Sequence, residues 1–558
     1  MKLTGSQIII EVLIEQGCEC IFGYPGGQVI NIYDALYQSR DRIKHILTAH
    51  EQGAAHAADG YARATGKTGV VLATSGPGAT NLVTGIATAY LDSVPMVAVT
   101  GNVPCSLLGR DSFQEVDICG VTLPITKHNY IVKDINELAD TLREAFRIAK
   151  SGRPGPVLVD VPKDVQIATT EFENKPVEPA FENVKADDDD LAKAVEMINK
   201  AQKPYIYCGG GVISSGAGKE IEKFADVIDS PIGCSMMGIS AVPFSNPRFL
   251  GMQGMHGHYA SSMAQSEADL LIAIGARFSD RATGNKDVYV RNCDIIHIDI
   301  DAAEIDKNVT SQLGISGDVK ETLEKLISML SQQNHPEWSA EIEKLKEKEA
   351  QTIKKSSVMT PYDIIETVNT KMSDDTVVAT DVGQHQMWVA QHYRFEKPRK
   401  FVSSGGLGTM GFGLGAAIGA YEATKNPVVL FTGDGSFGMN LNELATAVSN
   451  NIPVIVILMN NGVLGMVRQW QTLFFDKHYS NTTLERKTDF PMLAEAFGAL
   501  GFSAQTTEEL ADALDKAIAA KRPAVINCTV NENEFVLPML PPGGSIDNII
   551  TEINGGEA

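Results

Sequence analysis

Asp434 and Asn461 are the residues most clearly placed for chemistry. Asp434 lies in Gly433-Asp434-Gly435 after the apolar run PVVLFT, and Asn461 follows PVIVILM and Asn460. One carboxylate and one amide oxygen suit a hard cation such as magnesium, which takes its remaining oxygens from water and phosphates. Gly433 and Gly435 let the backbone approach those phosphates. The helix start expected after Ser436 offers free N–H groups to the anion. Each turn alone is an ordinary Asp-Gly or Asn-Asn turn. At the two ends of one unit, they predict a magnesium–diphosphate site.

That unit comprises a strand at Pro427–Thr432, a helix through NLNELATAVSNN and a strand through PVIVILMNN. Leu441, Leu444, Ala445 and Val448 share one helical face. The two strands of a βαβ unit are parallel, so both turns sit at the carboxyl edge, where open α/β sheets bind ligands. Apolar strands alternate with amphipathic helices along the whole chain, which predicts the α/β class with parallel sheets. Residues 166–190 and 332–360 break the pattern and read as connectors. They leave three blocks, 1–165, 190–332 and 358–540, each sized for one doubly wound domain, and a tail over 541–558.

The first and third blocks share a style of Gly-rich turns at strand ends. In the first, Ile43–Leu47 reads as a strand that ends just before Glu51. Gly26-Gly27 and Ser75-Gly76-Pro77-Gly78 follow two further strands, with N–H groups suited to a ligand carbonyl or ring. The middle block carries Gly209-Gly210-Gly211, Gly254-Met255-His256-Gly257, Gly275-Ala276-Arg277 and a strand Ile295–Asp301 ending in acid. It reads as a nucleotide-binding α/β domain.

Bulk properties narrow the classes. The chain has 558 residues, room for about three or four domains. Its net charge of −22, from 47 basic and 69 acidic residues, argues against nucleic-acid and membrane-surface roles. The run Asp187–Asp190 reads as a solvated linker. The eight cysteines form no CxxC pair or zinc-type set and are expected to be reduced thiols. The first apolar run is broken by Glu11 and Glu15, so no signal peptide is expected, and no stretch approaches the ~20 apolar residues of a membrane span. A cytoplasmic protein is expected. Two motif matches are set aside. Gly406-Leu-Gly408-Thr-Met-Gly411 follows a plausible strand, Lys400–Ser404, but lacks the acid expected ~20 residues on in a dinucleotide site. Gly60–Thr68 has five residues between its glycines, not the four of a P-loop, and should lie inside a helix.

GDG, the intervening residues 436–459, and Asn460-Asn461 together resemble the thiamine-diphosphate binding motif. The resemblance makes Asp434, Asn461 and the Val463 backbone carbonyl the metal ligands. Thiamine chemistry needs an acid opposite the aminopyrimidine ring, and Glu51 is the candidate. It would share its proton with a ring nitrogen and favour the imino tautomer that removes the thiazolium C2 proton. Met410, in the loop with Gly408, could wedge under the cofactor and hold it bent.

The likeness extends over essentially the whole chain. YPGG at 24–27, HEQGAAHAADGYARATG at 50–66, TSGPGATNLVTGIATAYLDSVP at 74–95, TDVGQHQMWVAQ at 380–391 and GMVRQWQTLFF at 465–475 resemble the catalytic subunits of biosynthetic acetohydroxyacid synthase (acetolactate synthase). RPGPVLVDVPKDVQ at 153–166 and SSGGLGTMGFGLGAA at 403–417 add to it. The resemblance implies three doubly wound parallel-sheet domains, with a central FAD-binding one. It gives Gln384, His385, Gly435 and Ser436 to the diphosphate. Gly27, Phe113, Gln114, Lys163 and Arg281 go to the substrate side, and Met466 with Trp470 to an acceptor pocket that favours 2-ketobutyrate. Arg153, Gly210, His256, Arg277, Asp299 and Asp318 match FAD-contacting positions.

The implied reaction decarboxylates pyruvate and passes the two-carbon unit to a second 2-keto acid, towards branched-chain amino acids. In this family Glu51 and Asp434 of one site come from different chains. A homodimer or homotetramer with a separate small regulatory subunit is therefore expected. Ser279-Asp280-Arg281, Gly462-Val463 and Arg468 depart from many relatives, which bears on substrate preference. Three rival readings are a flavin-redox pyruvate oxidase, a flavin-free catabolic acetolactate synthase and a non-catalytic scaffold of the same fold. Trp470 and the Phe113-Gln114 region argue against the oxidase, and Glu51 against the scaffold.

Overall fold

The computed structural model describes residues 1–289, 293–350 and 359–552. Residues 351–358 of the second connector, with the first residue of the 358–540 block, and residues 553–558 of the tail lie outside them.

Three six-stranded parallel sheets form the frame. The first spans Cys20–Tyr24 to Pro156–Pro162, the middle one Pro204–Cys208 to Leu313–Ser316, and the third Val377–Thr380 to Ala524–Thr529. With strands counted in chain order inside each sheet, the first and third share the order 2-1-3-4-6-5. The middle sheet runs 3-2-1-4-5-6, the order of dinucleotide-binding folds. Strand interiors such as Val428, Val429, Leu430 and Phe431 are buried on both faces, as helices on either side of a parallel sheet require. One apolar core runs without a break from the first sheet into the third, and another from the middle sheet into the third.

The helices Glu51–Thr65 and Gly413–Thr424 cross almost without side chains between them. A Cβ on Gly60 would strike the Ala416 backbone, and one on Gly419 the Ala57 backbone. Of the lookalike P-loop, Gly60 to Thr65 lie inside this helix, Gly66 is its left-handed C-cap, and Lys67-Thr68 follow it.

Several local expectations shift. The acid run is no linker: Asp187 caps the helix Asp188–Lys200, and three acids fill its first turn, where the helix dipole favours them. The stretch 332–360 is partly helical, as expected, over Pro336–Ala350, but it packs on the middle domain: Trp338 is buried with the indole N–H donating to Pro204 O at 3.0 Å. The strand Lys400–Ser404 shortens to Phe401–Val402. The segment after Gly433 is helical from Asp434 onward, as Asp434–Asn440 and Glu443–Ser449. In the second of these Leu444 and Ala447 are buried, rather than Ala445. All eight cysteines are free, five of them buried. Among the described residues no helix is long and apolar enough to cross a membrane.

Candidate functional site

The strands Val428–Gly433 and Val454–Asn460 pair in parallel, with Gly433 opposite Met459. Asp434 and Asn461 each follow immediately, so both leave the same edge of the third sheet. Asp434 is 6% exposed. Burial pushes its pKa up to about 6. Asn461 donates through Nδ2 to Gln384 Oε1 at 3.2 Å, and its Oδ1 accepts from Val463 N at 3.2 Å.

Two helix starts face this edge, Asp434–Asn440 and Gln384–His392. His385 is neutral, with its pKa pushed down to about 3 by burial, and its Nε2 is buried without a partner. A Cβ on Gly433 would sit 3.1 Å from His385 Nδ1, and one on Gly435 2.7 Å from the Leu464 side chain. Met410 Cε comes within 3.8 Å of that second position. Ser436 Oγ donates to Val382 O at 2.9 Å.

This donor set fits magnesium with a diphosphate. A buried carboxylate and an amide oxygen follow neighbouring strands at one sheet edge, with two helix starts and an unpartnered imidazole nitrogen. Among the described residues no three His, Cys, Asp or Glu side chains gather to hold a metal alone, so phosphate and water oxygens would complete the shell. The Asp434 shift sets a pH dependence. Its folded value lies above the usual carboxylate value, so the proton is favoured in the metal-free fold at low pH and lost as pH rises through about 6. Magnesium needs the ionised form. Its affinity is expected to hold above pH 7 and to fall about tenfold per pH unit well below 6. Calorimetric titration at pH 5, 6 and 8 checks this, and a flat profile refutes it.

The glycine-rich loop before Gly413 explains the rejected dinucleotide motif. Gly405 N and Gly406 N donate to the two oxygens of Asp92 at 3.0 and 2.7 Å, and Gly413 N donates to Asp381 at 2.8 Å. These N–H groups are taken by the protein's own carboxylates rather than by a phosphate. Asp92 pairs in turn with the buried Arg63 at 2.9 Å.

A second group forms at the edge of the first sheet. Glu51 is the first residue of its helix, is buried, and accepts from Asn81 Nδ2 at 2.9 Å. Lys163 Nζ donates to Gly27 O at 3.3 Å. A Cβ on Gly76 would sit 2.8 Å from Gln114 O. Phe113 beside it is 84% exposed. Sequence reasoning missed Glu443. It is fully buried and accepts the N–H groups of Ala49 and His50 at 3.1 and 3.0 Å, which fixes the turn leading into Glu51. A Glu one residue before Leu444 on the buried face was the available signal.

A cavity of about 1080 Å³ lies among all three sheets. Arg153, Gly210, His256, Arg277, Asp299 and Asp318 line it, together with Gly408, Arg281, Met466 and Trp470. The Arg281 guanidinium stands 5.4 Å over the Trp470 ring. His256 Nδ1 is buried without a partner, and Gly209 and Gly211 press on Gly275 with no room for side chains. Such a cradle fits an extended dinucleotide. Gly27, Glu51, Phe113, Gln114 and Lys163 do not line this cavity, so the residues expected to surround one substrate fall into two groups within the chain.

Three family models match: the thiamine pyrophosphate enzyme N-terminal TPP binding domain over residues 3–121, its central domain over 191–326, and its C-terminal TPP binding domain over 381–528. The chain is 44% identical to the acetolactate synthase isozyme 2 large subunit of Escherichia coli, covering 99% of this chain and 100% of that one. It is 43% identical to the acetolactate synthase large subunit of Haemophilus influenzae, over 98% of each. It is 44% identical to a probable acetolactate synthase large subunit of Methanocaldococcus jannaschii, over 99% of this chain and 96% of that one.

Proposed function

The chain belongs to the acetolactate synthase large subunits within the thiamine pyrophosphate enzyme family, and from that membership we propose how its residues divide the work. It is a thiamine-diphosphate-dependent acetolactate synthase. Pyruvate loses carbon dioxide, and the remaining two-carbon unit joins a second pyruvate or 2-ketobutyrate, giving 2-acetolactate or 2-aceto-2-hydroxybutyrate. The observation that carries this reading is end-to-end identity with such subunits in a chain that keeps a buried Asp434 beside Asn461.

Asp434, Asn461 and the Val463 carbonyl hold magnesium. His385, Gly435, Ser436 and the start of the Gln384 helix receive the diphosphate, and Met410 with Gly408 supports the rest of the cofactor. When bound, thiamine diphosphate supplies an electron sink for the carbanion left by decarboxylation. Glu51 holds and exchanges the proton at the aminopyrimidine nitrogen. It is buried, and the bond from Asn81 fixes the direction of its carboxylate. Arg281 offers its cation to the incoming keto acid's carboxylate, while Met466 and Trp470 give the acceptor's alkyl group an apolar wall. Lys163, Gln114, Phe113 and Gly27 face the substrate from the other side.

FAD fills the large cavity, held by Arg153, Gly210, His256, Arg277, Asp299 and Asp318. The volume, the dinucleotide strand order and the unpartnered His256 nitrogen support that reading. The homodimer rests on the two separate residue groups. The loops that carry Gly27 and Gln114 expose Tyr24, Ile30, Leu107 and Phe113, an apolar surface a second copy would cover. A separate small subunit follows from the relatives' description as large subunits.

The test is direct. Purified protein is incubated with pyruvate, 2-ketobutyrate, thiamine diphosphate and magnesium, without an electron acceptor. Both acetohydroxy acids should form, and the preparation should be yellow. Turnover only with an electron acceptor would favour the oxidase, and a colourless active protein would remove FAD.

A further inference from the structure

Asn461 can serve a metal only with Oδ1 towards it, and an amide's orientation is fixed by its other hydrogen bonds. The sequence leading to that orientation starts at two backbone groups near the C-terminus. Val536 N donates to Gln469 Oε1 at 2.9 Å, and Gln469 Nε2 donates to Val536 O at 3.0 Å. A backbone N–H only donates and a carbonyl only accepts, so Gln469 has a single orientation.

Gln384 is fixed in the same way. Its Nε2 donates to Glu534 O at 2.8 Å and to Gln469 Oε1 at 3.1 Å. Its Oε1 must therefore accept, and Asn461 Nδ2 donates to it. Asn461 Oδ1 is left on the opposite side, where the Val463 N–H donates to it at 3.2 Å and the relay and this bond hold one orientation together. Gln469 is fully buried and Gln384 nearly so, which shields the bond between them from water. A Cβ on Gly465 would strike Gln384 Oε1, so the start of the Trp470 helix also clamps the relay.

We propose that Gln469 is a positioning residue for the metal site. Through Gln384 it locks Asn461 with Oδ1 towards the cation, and this makes the docked segment around 534–536 part of the outer shell. The inference rests on the reading of Asn461 as a metal ligand. Outer-shell partners of this kind typically govern metal affinity by 10–100-fold.

The experiment strips metal from the full-length protein and titrates manganese, a spin-visible stand-in for magnesium, in the presence of thiamine diphosphate. Gln469→Met removes the acceptor at nearly constant volume and should weaken manganese binding at least tenfold. Gln469→Glu, neutral in so buried a place, keeps both roles, its O–H donating to Val536 O and its other oxygen accepting from Gln384 and Val536, and should stay within about threefold of wild type. Gln384→Met cuts the relay one step nearer the metal and reads the same quantity if Gln469→Met does not fold. Wild-type affinity in either Met variant overturns the proposal. So does an equal loss in Gln469→Glu, which would assign the effect to packing. Asn461→Ala separates the two levels. If it leaves manganese binding unchanged, the ligand assignment itself falls. If it loses the metal while Gln469→Met keeps it, only the relay falls.

Discussion

Glu51→Gln should slow exchange of the thiazolium C2 proton at least ~100-fold, the usual scale of acid–base assistance, while cofactor binding survives. Gln matches Glu in size and can still accept from Asn81 through its amide oxygen. The turn before it is held by Glu443 on the backbone of Ala49 and His50, which the substitution leaves alone. The diphosphate end lies on another sheet. Geometry and anchoring thus persist, and only the exchangeable proton is removed. Deuterium exchange at C2, quenched with acid and read by NMR, measures the step directly. Exchange at the wild-type rate would show that another group handles the proton.

The second large effect is expected at the metal. Asp434→Ala should abolish magnesium-dependent binding of thiamine diphosphate, because it removes the one buried carboxylate of the donor set. Metal-free stability offers a control against simple misfolding. Burial raises the pKa of Asp434 to about 6, so the ionised group costs the empty fold roughly 2–3 kcal/mol at neutral pH. The metal-free Ala variant should therefore unfold at no lower temperature than metal-free wild type at pH 8. Quenching of protein fluorescence by the cofactor, with and without magnesium, follows binding. Unchanged magnesium dependence would refute the assignment.

Legibility in the sequence followed the range of the interactions. The turns at Asp434 and Asn461 could be read because each directly ends a buried apolar run, and burial on both faces leaves a local signature. Glu51 follows the edge strand Lys44–Leu47, which is only partly buried, and its role was reached through the thiamine resemblance. Of the cavity residues, Gly210, His256, Arg277 and Asp299 lie in segments that read as a nucleotide-binding domain, whereas Arg153 and Asp318 have no local pattern and were reached through the family resemblance. Glu443, Asp92, Asp381 and Gln469 were missed. Each is a polar residue inside an ordinary-looking segment, and its partners lie far along the chain: Glu443 meets Ala49 across 394 residues, and Asp92 meets Gly406 across 314. A sequence shows such a residue but not the backbone group it was selected to satisfy. The acid run Asp187–Asp190 misled for the converse reason, because a helix cap and a solvated linker have the same composition.

The crossing of the Glu51–Thr65 and Gly413–Thr424 helices is, in a machinist's sense, a fit with no clearance. A joint of this kind transmits displacement without play, so the acid is carried rigidly on the block that bears Asp434 of the same chain. Its tolerance is correspondingly poor. One methyl group at Gly60 or Gly419 would act as a shim, tilting Glu51 away from the ring it is to protonate, and the resulting defect would look like lost chemistry although no reacting atom had been touched.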